Sequence, residues 1–216
     1  MTNLNRICMG ALGLGLVALA WTDPALNLRG DRFKPLTYEQ LTPQQKTMID
    51  HLLAGDRGGT TTGPFNVFLR SPEMGDLAQQ LGALIRFHSS IPRPLNEMAI
   101  LITARYWGAQ YEWQSHHRLA LQAGLSPAII EAIANGKKPA NLKPDEEAIY
   151  TFCHELLTTK QVSDATFQAA VSKFGERGAV DLINAMGYYT LVSMALNTDR
   201  YPLTEGTKPE LKPLKE

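Results

Sequence analysis

The stretch of sequence that decides the fold is Asn96–Gly124, which reads NEMAILITARYWGAQYEWQSHHRLALQAG. Its first half, Met98–Trp107, is almost wholly apolar, which is typical of a helix buried on all sides rather than of an amphipathic surface helix. Gly108 separates this part from a second helical pattern, in which Glu112 and His116 stand four residues apart and share one face. The stretch therefore predicts a buried helical hairpin that carries a carboxylate and an imidazole on one stripe.

The sequence on both sides of the hairpin is also helical in pattern. Thr42, Pro43 and Gln45 form a capping signature before the first helix, and prolines or glycines punctuate the later ones. Helices are expected at about 42–54, 74–87, 95–107, 110–123, 127–134, 144–157, 163–174 and 179–196. Because no run of alternating β-branched residues bounded by turns occurs, the fold class is predicted to be all-α.

Length and composition are those of one globular domain. The chain has 216 residues, 44% of them hydrophobic, and its 21 basic residues balance 21 acidic ones without a basic stripe. Neither nucleic acid nor an anionic membrane surface is therefore indicated as a partner, and a small uncharged or anionic molecule is expected instead. We divide the chain into a segment 1–20, an extended leader 21–40, a helical domain 41–200 and a flexible tail 201–216.

The first 20 residues are typical of a secretory signal. Arg6 precedes an apolar run from Ile7 to Ala20, and Ala18-Leu19-Ala20 has the small-x-small pattern that signal peptidase favours. The run is shorter than a membrane-spanning helix needs, so we expect an exported, periplasmic protein with no stable span after cleavage. The alternative is a protein tethered to the membrane by the uncleaved segment.

The hairpin also carries a resemblance to a known family. The resembling residues are Glu97 within PRPLNEMAIL, the triplet Tyr111-Glu112-Trp113, and His116 with Ala120 and Gly124 at successive fourfold steps. Together with the upstream segment GPFNVFLRSPEMGDLAQQLGALIRF, they make the chain similar to the carboxymuconolactone decarboxylase and alkylhydroperoxidase D-like superfamily over roughly residues 60–195. The resemblance implies the helical bundle of that superfamily, a small-molecule substrate, no cofactor and a homotrimer or homohexamer.

The peroxidase branch of this superfamily uses two cysteines three residues apart, followed by a histidine. Counted from Glu97, the cysteine positions fall on Ala109 and Glu112, and the histidine position falls on His116. The acid and the histidine are present but both cysteines are missing, so the resemblance favours the decarboxylase-like branch. Outside the signal segment the only cysteine is Cys153, which lies in an apolar helical pattern and is expected to be buried and inert.

The predicted catalytic residues are His116, Glu97 and Glu112. An imidazole titrates close to neutral pH, and a neighbouring carboxylate can hold one ring nitrogen and select the tautomer. Glu112 is the nearest such partner in sequence, and Glu97 is the partner that the resemblance implies. The alternatives are a satisfied core histidine, a structural Glu112, and a Glu97 that opens its helix and complements the helix dipole.

The substrate-binding candidates are Trp113, Tyr111, Arg86 and His88. The two aromatic residues stand beside the predicted site, although aromatics at helical spacing are also typical of a core. Arg86, or Arg105 in its place, can bind a substrate carboxylate in bidentate fashion, while His88 follows a helix end and can approach the hairpin from the other side. Arg57 and the threonines of the loop DRGGTTTGP could also face a ligand, but the sequence favours a plain connector there.

Three hypotheses for function follow. The first is a decarboxylase-like enzyme without a cofactor, which performs acid–base chemistry on a small lactone or oxo acid. The second is a peroxidase-like activity, which the missing cysteine pair opposes. The third is an exported small-molecule-binding protein without turnover. A zinc site at Glu112 and His116 has suitable spacing, but no second histidine-bearing element at ligand spacing accompanies it, so no metal is expected.

Overall fold

The helices organise the chain around a central hairpin. The computed structural model describes residues 24–213 and contains eight α-helices and no β-strand within that range. They are α1 Pro43–Ala54, α2 Phe65–Phe68, α3 Pro72–Phe87, α4 Arg93–Tyr106, α5 Gln110–Ala123, α6 Pro127–Ala134, α7 Pro144–Thr159 and α8 Asp164–Asp199. The all-α prediction is confirmed, and of these helices only the single-turn α2 was not expected from the sequence.

The most deeply buried helix is α4. Every residue from Leu95 to Arg105 is buried, as the almost wholly apolar sequence after Glu97 predicts. This helix packs against α5, α6, α7 and α8, so it lies between two clusters of apolar side chains. A side chain between Leu95 and Arg105 therefore lies against protein in whichever direction it leaves the helix.

The start of α4 differs from the expectation that Glu97 opens the helix. The helix begins at Arg93, because Pro94 occupies one of the first two helical positions, where its missing N–H costs nothing. Glu97 consequently lies beyond the first turn, away from the free backbone N–H groups that a dipole-complementing acid would face. The side chain of Glu97 is directed at a partner on α5 instead.

Two glycines fix the geometry of the hairpin. Gly108, just before α5, has a φ of 58°, and Gly124, just after it, has a φ of 90°. Both values lie in the left-handed region, which favours glycine. The backbone N–H of Leu125 reaches back to the carbonyl of Ala120 at 2.9 Å, so the C-terminus of α5 is capped. The hairpin thereby holds Glu112 and His116 on the face of α5 that is buried against α4.

The last helix, α8, is bent at Gly175. This residue has φ 70° and ψ 174°, and it divides α8 where the sequence predicts the break between two helices. By length and composition alone α8 is apolar enough to cross a membrane, with a mean hydropathy of 1.2 in its most apolar window. Its buried side chains, among them Leu182 and Tyr189, belong to the core of the protein.

The segments at the two ends of the described chain both lie on the helical domain. The leader is held by backbone N–H groups of Asp31 and Phe33, which donate to Asp199 on α8. The tail, predicted to be flexible, contacts the helical domain at Leu211, which is buried and whose carbonyl accepts a hydrogen bond from Gln110. The predicted signal segment 1–20 lies outside the described residues.

Candidate active site

Three ionisable side chains form the centre of the candidate site. Nδ1 of His116 lies 2.6 Å from Oε2 of Glu97 on α4, and Nε2 lies 3.0 Å from Oε1 of Glu112 on α5. All three residues are 4–5% exposed. The structure thus brings together the three residues predicted as catalytic, and His116 has both carboxylates as partners rather than one of the two.

The charge of His116 follows from this arrangement. Burial by itself lowers the pKa of His116, but the charges and hydrogen bonds of Glu112 and Glu97 outweigh it and raise the pKa to about 9. At neutral pH the ring is therefore an imidazolium that donates one N–H to each carboxylate. The ring of His116 also packs against that of Tyr189 in a T-shaped arrangement, with centroids 4.9 Å apart.

A cavity of about 220 Å³ opens on one side of this triad. Glu112 and His116 line it, whereas Glu97 does not and holds the imidazolium from behind. Tyr188 and Tyr189 of α8 also line it. Of the two carboxylates, only that of Glu112 is therefore placed to exchange a proton with a molecule in the cavity.

The cavity is bordered by cations. Arg57, Arg86 and Arg118 line it, and none of them forms an ion pair with a carboxylate within 4.0 Å in the described part of the chain. Arg57 lies over the ring of Phe65 at 5.1 Å and donates a hydrogen bond to the carbonyl of Gln79. Cationic groups without internal counter-ions favour an anionic ligand in this cavity.

The loop DRGGTTTGP faces the cavity, although the sequence favoured a plain connector. Arg57, Thr60, Thr62 and Gly63 are among the lining residues. The backbone N–H of Gly63 donates to the hydroxyl of Tyr201 at 2.9 Å, which ties the loop to the segment after α8. The loop is therefore positioned by a contact with a residue far away in the sequence.

The four residues proposed as substrate-binding lie in different places. Arg86 and Tyr111 line the cavity. Trp113 is 1% exposed in the apolar core, and its indole N–H donates to Glu210, so it stands outside the cavity. His88 also lies elsewhere, because it ends α3 at the surface and pairs with Asp56 at 2.7 Å. Trp113 turns inward because α5 directs that face of the helix at the core.

Sequence reasoning did not identify Tyr188, Tyr189 and Ser115 as site residues. The two tyrosines read as core aromatics of a long apolar helix, and both are indeed buried. Burial raises the pKa of Tyr188 to about 12, while the nearby guanidinium of Arg57 opposes the rise. Both hydroxyls therefore stay protonated at neutral pH. For Ser115 the one available signal was its place next to His116.

The thiol chemistry of the alternative hypothesis finds no support in this cavity. The positions that cysteines would occupy are Ala109, buried at the start of α5, and Glu112. Cys153 is buried on α7, does not line the cavity, and its pKa is raised to about 12 by burial. Among residues 24–213 no group of three or more His, Cys, Asp or Glu is arranged to hold a metal ion.

Replacement of Cys153 with serine is expected to leave turnover unchanged on any substrate of the cavity, because the thiol lies outside it. The same change places a hydroxyl in an apolar cluster and should lower the free energy of unfolding by about 1–3 kcal/mol. Kinetics and thermal unfolding of the variant check both statements. A loss of activity in Cys153→Ser at a temperature where the variant is folded would point to thiol chemistry.

Comparison with known proteins finds similarity in fold but not in sequence family. No family profile and no curated protein sequence matches it. Among solved structures it is similar to the debrominase Bmp8, at a TM-score of 0.62 and 13% identity over 80% of this chain and 92% of that one. A cysteine-to-alanine variant of the same debrominase, in complex with 2,3,4-tribromopyrrole, gives a TM-score of 0.61 at 13% identity over 80% and 91% of the two chains. These similarities establish a shared all-helical fold.

Proposed function

We propose that this protein is a small-molecule enzyme similar to the carboxymuconolactone decarboxylases, which transfers a proton between Glu112 and a small lactone or oxo acid. The observation that carries the proposal is the buried arrangement Glu97–His116–Glu112, in which only one carboxylate and the imidazolium edge meet the cavity. Since both ring nitrogens are engaged, His116 supplies its proton through Glu112 rather than directly. Glu97 positions the ring and keeps it charged.

The chemistry of such a site balances without a redox partner. When a β-oxo acid loses carbon dioxide, the electrons of the broken C–C bond flow into the conjugated carbonyl and give an enolate. Nε2 of the His116 imidazolium passes its proton to the Glu112 carboxylate, which delivers it to the enolate carbon and becomes a carboxylate again, so that His116 is left neutral. Solvent returns the proton to the site afterwards, so that one proton is consumed for each carbon dioxide released.

The arginines support a carboxylate-bearing substrate. Arg86 and Arg57 line the same cavity as Glu112, and a guanidinium binds a planar carboxylate in bidentate fashion. A cation near the reacting carbonyl also stabilises the charge that develops on the enolate oxygen. The similarity to a debrominase that binds a small halogenated pyrrole agrees with a cavity for small cyclic molecules, but this cavity contains no cysteine among its described lining residues.

The test is consumption of candidate substrates by the purified mature protein. Wild type and Glu112→Gln are incubated with a panel of small lactones and oxo acids, and substrate loss and carbon dioxide release are measured. A hydroperoxide with a thiol reductant runs in parallel. Turnover by the wild type that the Glu112→Gln variant lacks is the expected result.

The alternatives give different outcomes in the same experiment. Thiol-dependent hydroperoxide turnover that persists in Glu112→Gln would replace the proposal with a peroxidase-like activity. Saturable binding of a panel member without its consumption would indicate an exported binding protein that keeps the scaffold. The panel should include methyl esters of the acids, because the three arginines are expected to discriminate against them.

We also propose that the protein is a homo-oligomer, a trimer or a multiple of one. Exposed apolar side chains form one row on α3 and another on α8, which packs against it. The rows are Met74, Leu77, Leu81 and Leu84, and Val180, Ile183, Leu191 and Met194. Met74 and Leu77 are each 69% exposed, and apolar rows of this length on a soluble domain are typical of an interface.

Light scattering of the wild type at micromolar concentration is expected to give a trimer or a multiple of one. Leu77→Glu should lower the mass towards that of one chain, since it places a charge in the middle of the α3 row. Lys173→Glu is a matched control, because this exposed residue of α8 lies outside both rows. A monodisperse monomer for the wild type would contradict the proposal.

A further inference from the structure

A second cavity lies at the C-terminal end of α4. It has a volume of about 130 Å³ and is enclosed by the C-terminal halves of α4 and α7 and by the turn that follows α6. Ile102, Ile133 and Leu157 supply apolar surface, while Arg105 and Lys137 supply positive charge. No aspartate or glutamate is among its lining residues, and it shares no residue with the candidate active site.

Arg105 is the unusual residue of this cavity. It is 7% exposed, and its Nε is buried without a hydrogen-bond partner. Within residues 24–213 its guanidinium forms no ion pair, although neighbouring helices carry several carboxylates. A guanidinium, which carries five donors, therefore lines this cavity without a carboxylate partner in the described chain, and its Nε has no acceptor.

An unpaired buried cation lowers the stability of a protein, so we expect Arg105 to have a counter-ion. Burial lowers the pKa of Arg105 from its ordinary value, yet a guanidinium remains charged in proteins. Buried charges are normally paired or bound to a ligand, because the loss of hydration is not otherwise compensated. Nothing in the candidate active site uses Arg105, which stands eight residues after Glu97 and hence about 12 Å further along the axis of α4.

The other residues that line this cavity indicate the kind of ligand that fits beside Arg105. Tyr150 and His154 stack with their ring planes at 19° and their centroids 5.6 Å apart, and both line the cavity. Together with Ile102, Ile133 and Leu157 they form an apolar space next to the guanidinium. We propose that this cavity binds a small monocarboxylate with an apolar body, whose carboxylate pairs with Arg105.

Benzoate is a suitable probe, with hexanoate as an aliphatic one and benzamide as the uncharged counterpart. Isothermal titration calorimetry of the full protein in a carboxylate-free buffer is expected to show saturable binding of the two carboxylates. Benzamide should bind more weakly than benzoate. The Arg105→Gln variant should bind benzoate about 10–100-fold more weakly than wild type, because it lacks a charge-assisted pair of hydrogen bonds. Removal of an unpaired buried cation should leave the variant folded.

Two further variants locate the bound carboxylate. Arg86→Gln is the matched change in the other cavity: any benzoate that pairs with Arg86 there is lost, whereas the site at Arg105 should keep its affinity for benzoate. Lys137→Gln should weaken binding less than Arg105→Gln, because Lys137 is exposed at the edge of the cavity. Binding that responds to Arg86→Gln but not to Arg105→Gln would overturn the proposal, and so would the absence of saturable binding.

The other candidate for the missing counter-ion is a carboxylate of a second copy of the chain. The mass of the Arg105→Gln variant, measured by light scattering, distinguishes a carboxylate of a second copy from a bound ligand. An unchanged mass together with weaker benzoate binding supports the ligand site. A fall in mass, with benzoate binding absent in the wild type, assigns Arg105 to an interface and overturns the proposal.

Discussion

Glu112→Gln is expected to lower turnover by about 10²–10⁴-fold, the range found when a positioned proton-transfer group is removed. The glutamine has the same shape as the glutamate, and its amide oxygen can accept the hydrogen bond from Nε2 of His116 that the carboxylate accepts at 3.0 Å. What it removes is the only carboxylate of the triad that lines the cavity. Rate measurements at saturating substrate, with circular dichroism of the same preparation, separate the loss of chemistry from a loss of fold.

Glu131→Gln is a matched control for this experiment. Glu131 is exposed on α6, away from both cavities, so the same change of chemical group should leave turnover within about twofold of wild type. If Glu112→Gln retained wild-type turnover on the substrate found in the panel, proton transfer would not pass through this carboxylate. The acid–base mechanism would then need a different donor.

The sequence predicts the hairpin well because local signals and burial agree there. α5 occupies Gln110–Ala123, as the pattern between Gly108 and Gly124 indicates, and α4 is buried on all sides as its apolar run requires. The spacing of four between Glu112 and His116 places them on one face whatever the tertiary structure. The contact of His116 with Glu97 was implied by the resemblance, since spacing along the chain alone does not bring two helices together.

The other walls of the site depend on contacts between distant segments. Tyr188 and Tyr189 sit on α8 and read as ordinary core aromatics, and only the packing of α8 on α4 places them at the cavity. The tail has a proline- and lysine-rich composition that suits an extended segment, yet Glu210 lies 2.6 Å from His117. Composition reports the average behaviour of a segment, whereas one or two anchoring side chains decide where it lies.

The stability of the wild type is expected to fall as the pH rises from about 6.5 to about 9. The pKa of His116 is raised from 6.5 to about 9 in the folded protein, so the folded state binds this proton more tightly than the unfolded state. The stabilisation is fully present below 6.5, the pKa of His116 in the unfolded chain. It is lost as the pH rises through about 9, the pKa of His116 in the folded protein. It amounts to about 3 kcal/mol at most, by the linkage between proton binding and folding. Urea unfolding at several pH values measures it.

His116→Gln is expected to lower the free energy of unfolding by about 3–5 kcal/mol at neutral pH, because it leaves two buried carboxylates without their cation. The variant also lacks the titrating imidazole, so the decline of its stability above pH 6.5 should be largely abolished. Addition of Glu97→Gln to the variant removes one of the two unpaired charges, so the double variant should be more stable than the sum of the single effects predicts. Urea unfolding of the four proteins at pH 7.5 gives the coupling directly. Additive losses would mean that the imidazolium and the Glu97 carboxylate do not stabilise each other.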